Sequence, residues 1–177
     1  MGNRLEDFFW FMVSIGELYG IFIAWLFVFT FLYNLSAAIN KPDNSRTQLS
    51  SIMMISYILS LYIDISQYSA HLQVLAFDVV TIAVIFIWRF YFVKVPPIAF
   101  YYLILGLCIN ASLFLAMHID NGINQNYKFW WLWGVYCLLM PFDELIMALV
   151  LIINKDILGL VKLKNSVLSR KTTAAMQ

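Results

Sequence analysis

The side chains with chemistry to offer are ten acids and two histidines, and several of them stand where the surrounding sequence is almost wholly apolar. Asp143 and Glu144 adjoin within the run from Phe129 to Ile153. Adjacent carboxylates in a medium of low dielectric cannot both ionise unaided, so such a pair suits proton or cation binding, or a hydrogen-bonded structural role. Glu17 and Asp78 interrupt two further apolar runs. Ser56, Ser60, Asp64, Gln67 and His71 follow one another at spacings of 4, 4, 3 and 4, which would align all five on one helical face. A continuous polar stripe of this kind must look at another helix or at water. It therefore predicts either an interhelical hydrogen-bond seam or the lining of an ion-accessible path. His118 and Asp120 close the set.

The catalytic inventory is thin. No His-x-x-x-His or His-Glu-x-x-His occurs, so the spacing names no metal site and no cofactor. Cys108 and Cys137 form no Cys-x-x-Cys and read as small core residues. A nucleophile elbow, a phosphate loop and a dinucleotide fingerprint are all missing from the sequence. The expectation is a chain that is not an enzyme. An intramembrane metal-dependent enzyme is the least favoured alternative.

The elements that must position these groups follow from composition. Of 177 residues 63% are hydrophobic and 12% charged, too few charges to cover a water-facing surface. A net charge of +1 offers no electrostatic footprint for nucleic acid, and two cysteines build no disulfide scaffold. What remains is an all-α integral membrane protein with the lipid bilayer as its solvent. Five apolar runs reach the roughly 20 residues that cross a hydrocarbon core. They cover about 8–33, 49–69, 74–93, 98–117 and 129–153, giving one domain over 1–153. Helices are required because backbone in lipid must satisfy its own hydrogen bonds. Pro42, Pro96-Pro97 and the polar stretch Asp120–Asn126 mark the breaks; the break at 66–73 has no proline or glycine. The first run is longer than a signal-peptide core and follows Glu6 and Asp7, so it reads as a retained helix.

Counting basic residues by side sets the orientation. With five spans, Arg4 and Lys128 fall on one side and the other nine Lys and Arg on the opposite side. That asymmetry predicts N-terminus out and C-terminus in. Glu17, Asp64, Asp78, Asp120 and both histidines then occupy the outer half. Arg89 and Lys94 reach the cytoplasmic headgroups, Trp130, Trp131 and Trp133 anchor the outer interface, and Tyr101 and Tyr102 the inner one.

Two seams of small residues are expected to pack helices closely: Gly16, Gly20 and Ala24 on the first span, and Gly134, Cys137, Pro141 and Ala148 on the fifth, where Pro141 should kink the helix beside the acid pair. Residues 154–177 form a basic amphipathic tail. Lys155, Lys162, Lys164, Arg170 and Lys171 alternate there with apolar residues, as lipid contact or a docking point demands. The resulting expectation is a non-enzymatic sensor, anchor or regulator subunit of the bacterial inner (plasma) membrane. It self-associates and recruits a cytoplasmic protein through the tail. The alternative is a small oligomeric cation or proton channel working through its intramembrane carboxylates.

Overall fold

The computed structural model describes Asp7, Phe11 and residues 16–39, 43–63, 70–126, 128 and 130–166; the side chain of Glu17 falls outside it. All regular structure among the described residues is helical: α1 (Gly16–Ala38), α2 (Ser45–Ser60), α3 (Ala70–Phe92), α4 (Ile98–Met117) and α5 (Trp131–Ile153). A π-helical turn over His118–Ile123 extends α4. Four stretches are long and apolar enough to cross a membrane: Leu18–Ala38, Ala70–Phe92, Ile98–Ile123 and Trp131–Ile153. An all-helical chain with these stretches supports a multi-pass integral membrane protein.

Local chemistry explains the boundaries. The Asp43 carboxylate accepts the Ser45 amide at 2.9 Å and opens α2 from one residue further out than a usual cap. Hydrogen bonds from the Ser45 hydroxyl and amide hold Asp43 below the ordinary carboxylate range. Pro97 caps α4 in an extended conformation, which its fixed φ favours. At the far end of α5, Asn154 turns into the left-handed region (φ 52°) and its amide bonds the Val150 carbonyl at 2.8 Å. Pro141 sits inside α5 without ending it.

The second span differs from expectation. α2 has 16 residues, about 24 Å at 1.5 Å per residue, and residues 61–63 turn. Its serines weaken it: the Ser50 and Ser60 hydroxyls bond back to the Thr47 and Tyr57 carbonyls, in competition with the helical ladder. Asp64 and Gln67 lie outside the described residues. His71 belongs to the next helix, α3. The five-residue stripe is therefore not carried by one helix; residue spacing cannot reveal a break that contains no proline or glycine.

α1 packs on α2 and α5, α3 on α2 and α4, and α4 on α5. The start of α2 is level with the ends of its neighbours. The Thr47 hydroxyl donates to the Asn34 carbonyl at 3.1 Å, the Arg46 guanidinium to the Ile152 carbonyl at 3.2 Å, and the Trp88 indole to Gln48 Oε1 at 2.9 Å. α2 thus runs antiparallel to α1, α3 and α5. Polar groups share the interior with an apolar core that includes Phe27, Met53, Ile85, Leu103 and Met147. Thr30, Asn34, Ser50, Asp78, Thr81, Asn110, Asp120, Asp143 and Glu144 are inside, while Phe22, Trp25, Phe29, Phe90 and Phe142 point outward.

The small-residue seams are also redistributed. A methyl at Gly16 would meet nothing within 4 Å, and at Gly20 only Leu61 Cδ2 at 3.9 Å, so among the described residues these glycines bring no helix close; Ala24 is buried. Close approach occurs instead at Gly106 of α4. A Cβ there would lie 2.5 Å from Met147 Sδ and 2.8 Å from Asp143 Oδ2.

Candidate functional site

The acids of α5 enter the bundle because the small or inward residues Cys137, Glu144 and Ala148 share one face of that helix, and all three are buried. Glu144 lies at the junction of three helices. Its Oε2 accepts the Tyr19 hydroxyl of α1, and its Oε1 accepts the Tyr57 hydroxyl of α2 at 3.1 Å. Tyr57 is held in turn by stacking on Phe27, ring centroids 4.3 Å apart. Two donors on two oxygens are what an ionised carboxylate needs when water is excluded.

Asp143 turns toward α4, where the absence of a side chain at Gly106 makes room for its Oδ2. That oxygen accepts no hydrogen bond among the described residues. Asp78 of α3 is also buried, with an unpartnered Oδ2, and it lies within electrostatic reach of both Glu144 and Asp143. Beside it, Thr81 and Ser56 share a hydrogen bond that ties α3 to α2, and Thr81 also bonds its own Phe77 carbonyl. Tyr136 of α5 is in reach of the charges of Glu144 and Asp78. Its ring meets His71 edge-on at 6.1 Å, and Phe114 packs against both rings.

Of the polar residues singled out from sequence, the fold thus gathers Ser56, Asp78, Asp143 and Glu144, with His71 and His118 above them toward the π-helical turn. His71 and His118 lie close enough to interact electrostatically. Ser60 instead bonds its own helix, and Glu17, Asp64 and Gln67 fall outside what is described. Among the described residues no group of three His, Cys, Asp or Glu is placed to hold a metal ion. The tyrosines that complete the site, Tyr19 and Tyr57, were not singled out from sequence. Tyrosine in a span reads as interfacial or filler, and only the meeting of three helices gives these two a partner.

Asp120 organises the loop instead of lining a path. Its carboxylate accepts Asn126 Nδ2 at 3.0 Å and the Trp130 indole at 2.7 Å, so Trp130 is a loop strut as well as an aromatic at the helix start. Arg89 donates to the Val93 carbonyl at the end of its own helix.

The tail is folded back. Asp156 accepts the Tyr102 hydroxyl at 2.7 Å and the amides of Val161 and Lys162 at 3.2 and 3.0 Å, capping a helical stretch over residues 160–166. The Tyr102 hydroxyl accepts the Leu158 amide at 2.8 Å, and Lys164 donates to the Tyr101 hydroxyl at 2.6 Å. Gly159 turns the chain at φ +72°. Desolvation pushes the Asp156 carboxyl up, but the Tyr102 hydroxyl and the amides outweigh it and hold it below the usual range. Lys155, Lys162 and Lys164 are exposed; Arg170 and Lys171 lie outside the described residues. A cavity of about 520 Å³ separates the tail from α4, lined by Tyr102, Leu105, Leu158, Leu160 and Leu163 among others. A second groove, about 720 Å³, runs along the outward face of α5 past Trp131, Gly134, Leu138 and Phe142. No protein-family model, curated protein or solved structure matches the chain.

Proposed function

We propose that the protein is a non-enzymatic, multi-pass subunit of the bacterial inner membrane, a sensor, anchor or regulator that crosses the bilayer five times with its N-terminus out and its C-terminus in. α2 is short, but its antiparallel alignment with α1, α3 and α5 favours counting it as a crossing. The basic asymmetry then gives the orientation. The groove along α5 at Gly134 suits self-association, because a small residue between Trp131 and Leu138 lets a second helix approach.

The observation that carries the reading is the tied-back tail. Asp156 and Tyr102 tie it back and leave Lys155, Lys162 and Lys164 exposed, a preorganised platform for a cytoplasmic protein. Membrane-extracted wild-type protein should co-purify with a soluble protein at fixed stoichiometry. That protein should be lost both on truncation after Asn165 and in Tyr102→Phe/Asp156→Ala, with membrane insertion retained. Recovery of the same proteins from all three forms would refute the platform.

The convergence of Asp78, Asp143 and Glu144 favours one second reading, a small oligomeric cation or proton channel. It requires cation flux into liposomes that Glu144→Gln abolishes.

A further inference from the structure

We infer that the cavity between the folded-back tail and α4 is a binding site for one anionic phospholipid, whose phosphate meets Lys162 and whose acyl chain runs along the outward face of α4. The inference rests on the chain lying in a membrane, and on neither its orientation nor the docking of a cytoplasmic protein.

Hydrogen bonds fix the walls of the site. The Tyr102 hydroxyl of α4 donates to Asp156 at 2.7 Å and accepts the Leu158 amide at 2.8 Å, while Asp156 also accepts the Val161 and Lys162 amides. Lys164 donates to the neighbouring Tyr101 hydroxyl at 2.6 Å, and its ammonium stands 3.9 Å from the centre of that ring. The tail is thus pinned to two adjacent residues of α4 without closing onto the helix. A space of about 520 Å³ remains between them, within the ~300–1,000 Å³ typical of small-molecule sites.

The lining states the chemistry. Leu105, Leu158, Leu160 and Leu163 make the cavity mainly apolar, and Lys162 is the one charged side chain among the described residues that line it. The Tyr102 hydroxyl already acts as both donor and acceptor within the protein. Leu158 and Leu163 are each 63% exposed and Leu105 is 44% exposed, so the chain does not cover this surface itself. Leu105 shares its exposure with Leu115 and Ile119 further along α4 and its π-helical extension. That stripe is what acyl chains cover when the helix spans a bilayer. A hydrocarbon chain following it reaches the cavity without leaving apolar surroundings.

The charges supply the sign of the headgroup. Asp156 is the one acid between residues 154 and 166, and Tyr102 and two amides already occupy its carboxylate. Lys155, Lys162 and Lys164 are exposed on the same stretch. Asp43, the other acid at this end of the bundle among the described residues, is engaged by Ser45. An ammonium at an apolar slot, with no carboxylate nearby to answer it, matches a phosphate carried on a hydrocarbon chain. A zwitterionic lipid matches the lysines less well, and a soluble phosphate leaves the leucines uncovered.

Native mass spectrometry of the full chain in detergent tests the inference, with dioleoyl phosphatidylglycerol, dioleoyl phosphatidylcholine and glycerol phosphate as probes. The wild type should hold one phosphatidylglycerol, roughly tenfold tighter than phosphatidylcholine with the same acyl chains, and no glycerol phosphate. Lys162→Gln keeps the backbone amide that bonds Asp156 but removes the charge, and should weaken phosphatidylglycerol about fivefold. Leu105→Trp fills the cavity from the α4 side and should abolish the adduct, while amide exchange at residues 158–162 stays as slow as in the wild type. Equal retention of the two lipids, binding of glycerol phosphate, or a wild-type adduct in both variants would overturn the site. Retention of neither lipid, the result if a protein segment fills the cavity, would overturn it too. A phosphatidylglycerol adduct on protein that co-purifies with no soluble protein would leave the site standing and remove only the platform.

Discussion

Glu144 and Asp156 are carboxylates made useful by tyrosine hydroxyls, one inside the bundle and one at its end. For Glu144 the two hydroxyls replace the water that burial removed. Asp156 is only half-buried, and its Tyr102 and amide donors fix the tail's geometry as well as offsetting its partial desolvation. Since those donors depress its folded-state value, the ionised form favours the folded tail. This contribution is fully present above the unfolded carboxylate value of about 3.9 and is lost as pH falls through the lower, folded one. Amide exchange at residues 158–162 should therefore stay slow from neutral pH down to about 4 and quicken only in stronger acid. In Asp156→Ala it should be fast throughout. Exchange that quickens near neutrality in the wild type would contradict the cap.

At the scale of helices, the contact between α4 and α5 depends on one missing side chain. Met147 and Asp143 both occupy the space a Cβ at Gly106 would fill. Their side-chain ends can shift for a methyl, but a larger group must separate the helices. Gly106→Leu should cost about 1–3 kcal/mol, the usual range for overpacking, read as a lower melting temperature in detergent. Gly16→Leu, with open space around it, should melt like the wild type. Equal melting of both variants would show that α4 and α5 do not meet at Gly106. The sequence offered the opposite ranking. Gly16 and Gly20 form a Gly-x-x-x-Gly step, whereas Gly106 stands alone in Leu105-Gly106-Leu107. Spacing shows that small residues share a face, but not whether another helix lies against it.

For the molecule as a whole, the number of crossings decides where the termini lie. The proposed odd count would put them on opposite sides, and the basic asymmetry favours the C-terminus inside. A tag on the N-terminus should be cleaved by protease added to intact cells, and one on the C-terminus only after lysis. Tags cleaved together would mean an even count, with α2 folded against the bundle and not across the bilayer. The four longer helices were legible because length and apolarity are summed over many residues. α2 was legible only in part, since its Ser-rich sequence and turn at 61–63 are local features that the summed signal hides.

What the sequence determined unaided is the solvent and the secondary structure. With 63% of residues hydrophobic and 12% charged, the composition favours lipid around the chain, and lipid admits only backbone that bonds itself. Of the α5 face that helical periodicity groups, Gly134, Cys137, Pro141, Glu144 and Ala148, the bundle buries Cys137, Glu144 and Ala148 and leaves Gly134 and Pro141 half-buried. Only the tertiary structure decided which polar groups meet. Tyr19, Tyr57 and Glu144 are distant in sequence, and so are Tyr102 and Asp156. A hydrogen bond acts over about 3 Å, so the pairing of such residues depends on how whole helices are placed, which no local pattern encodes.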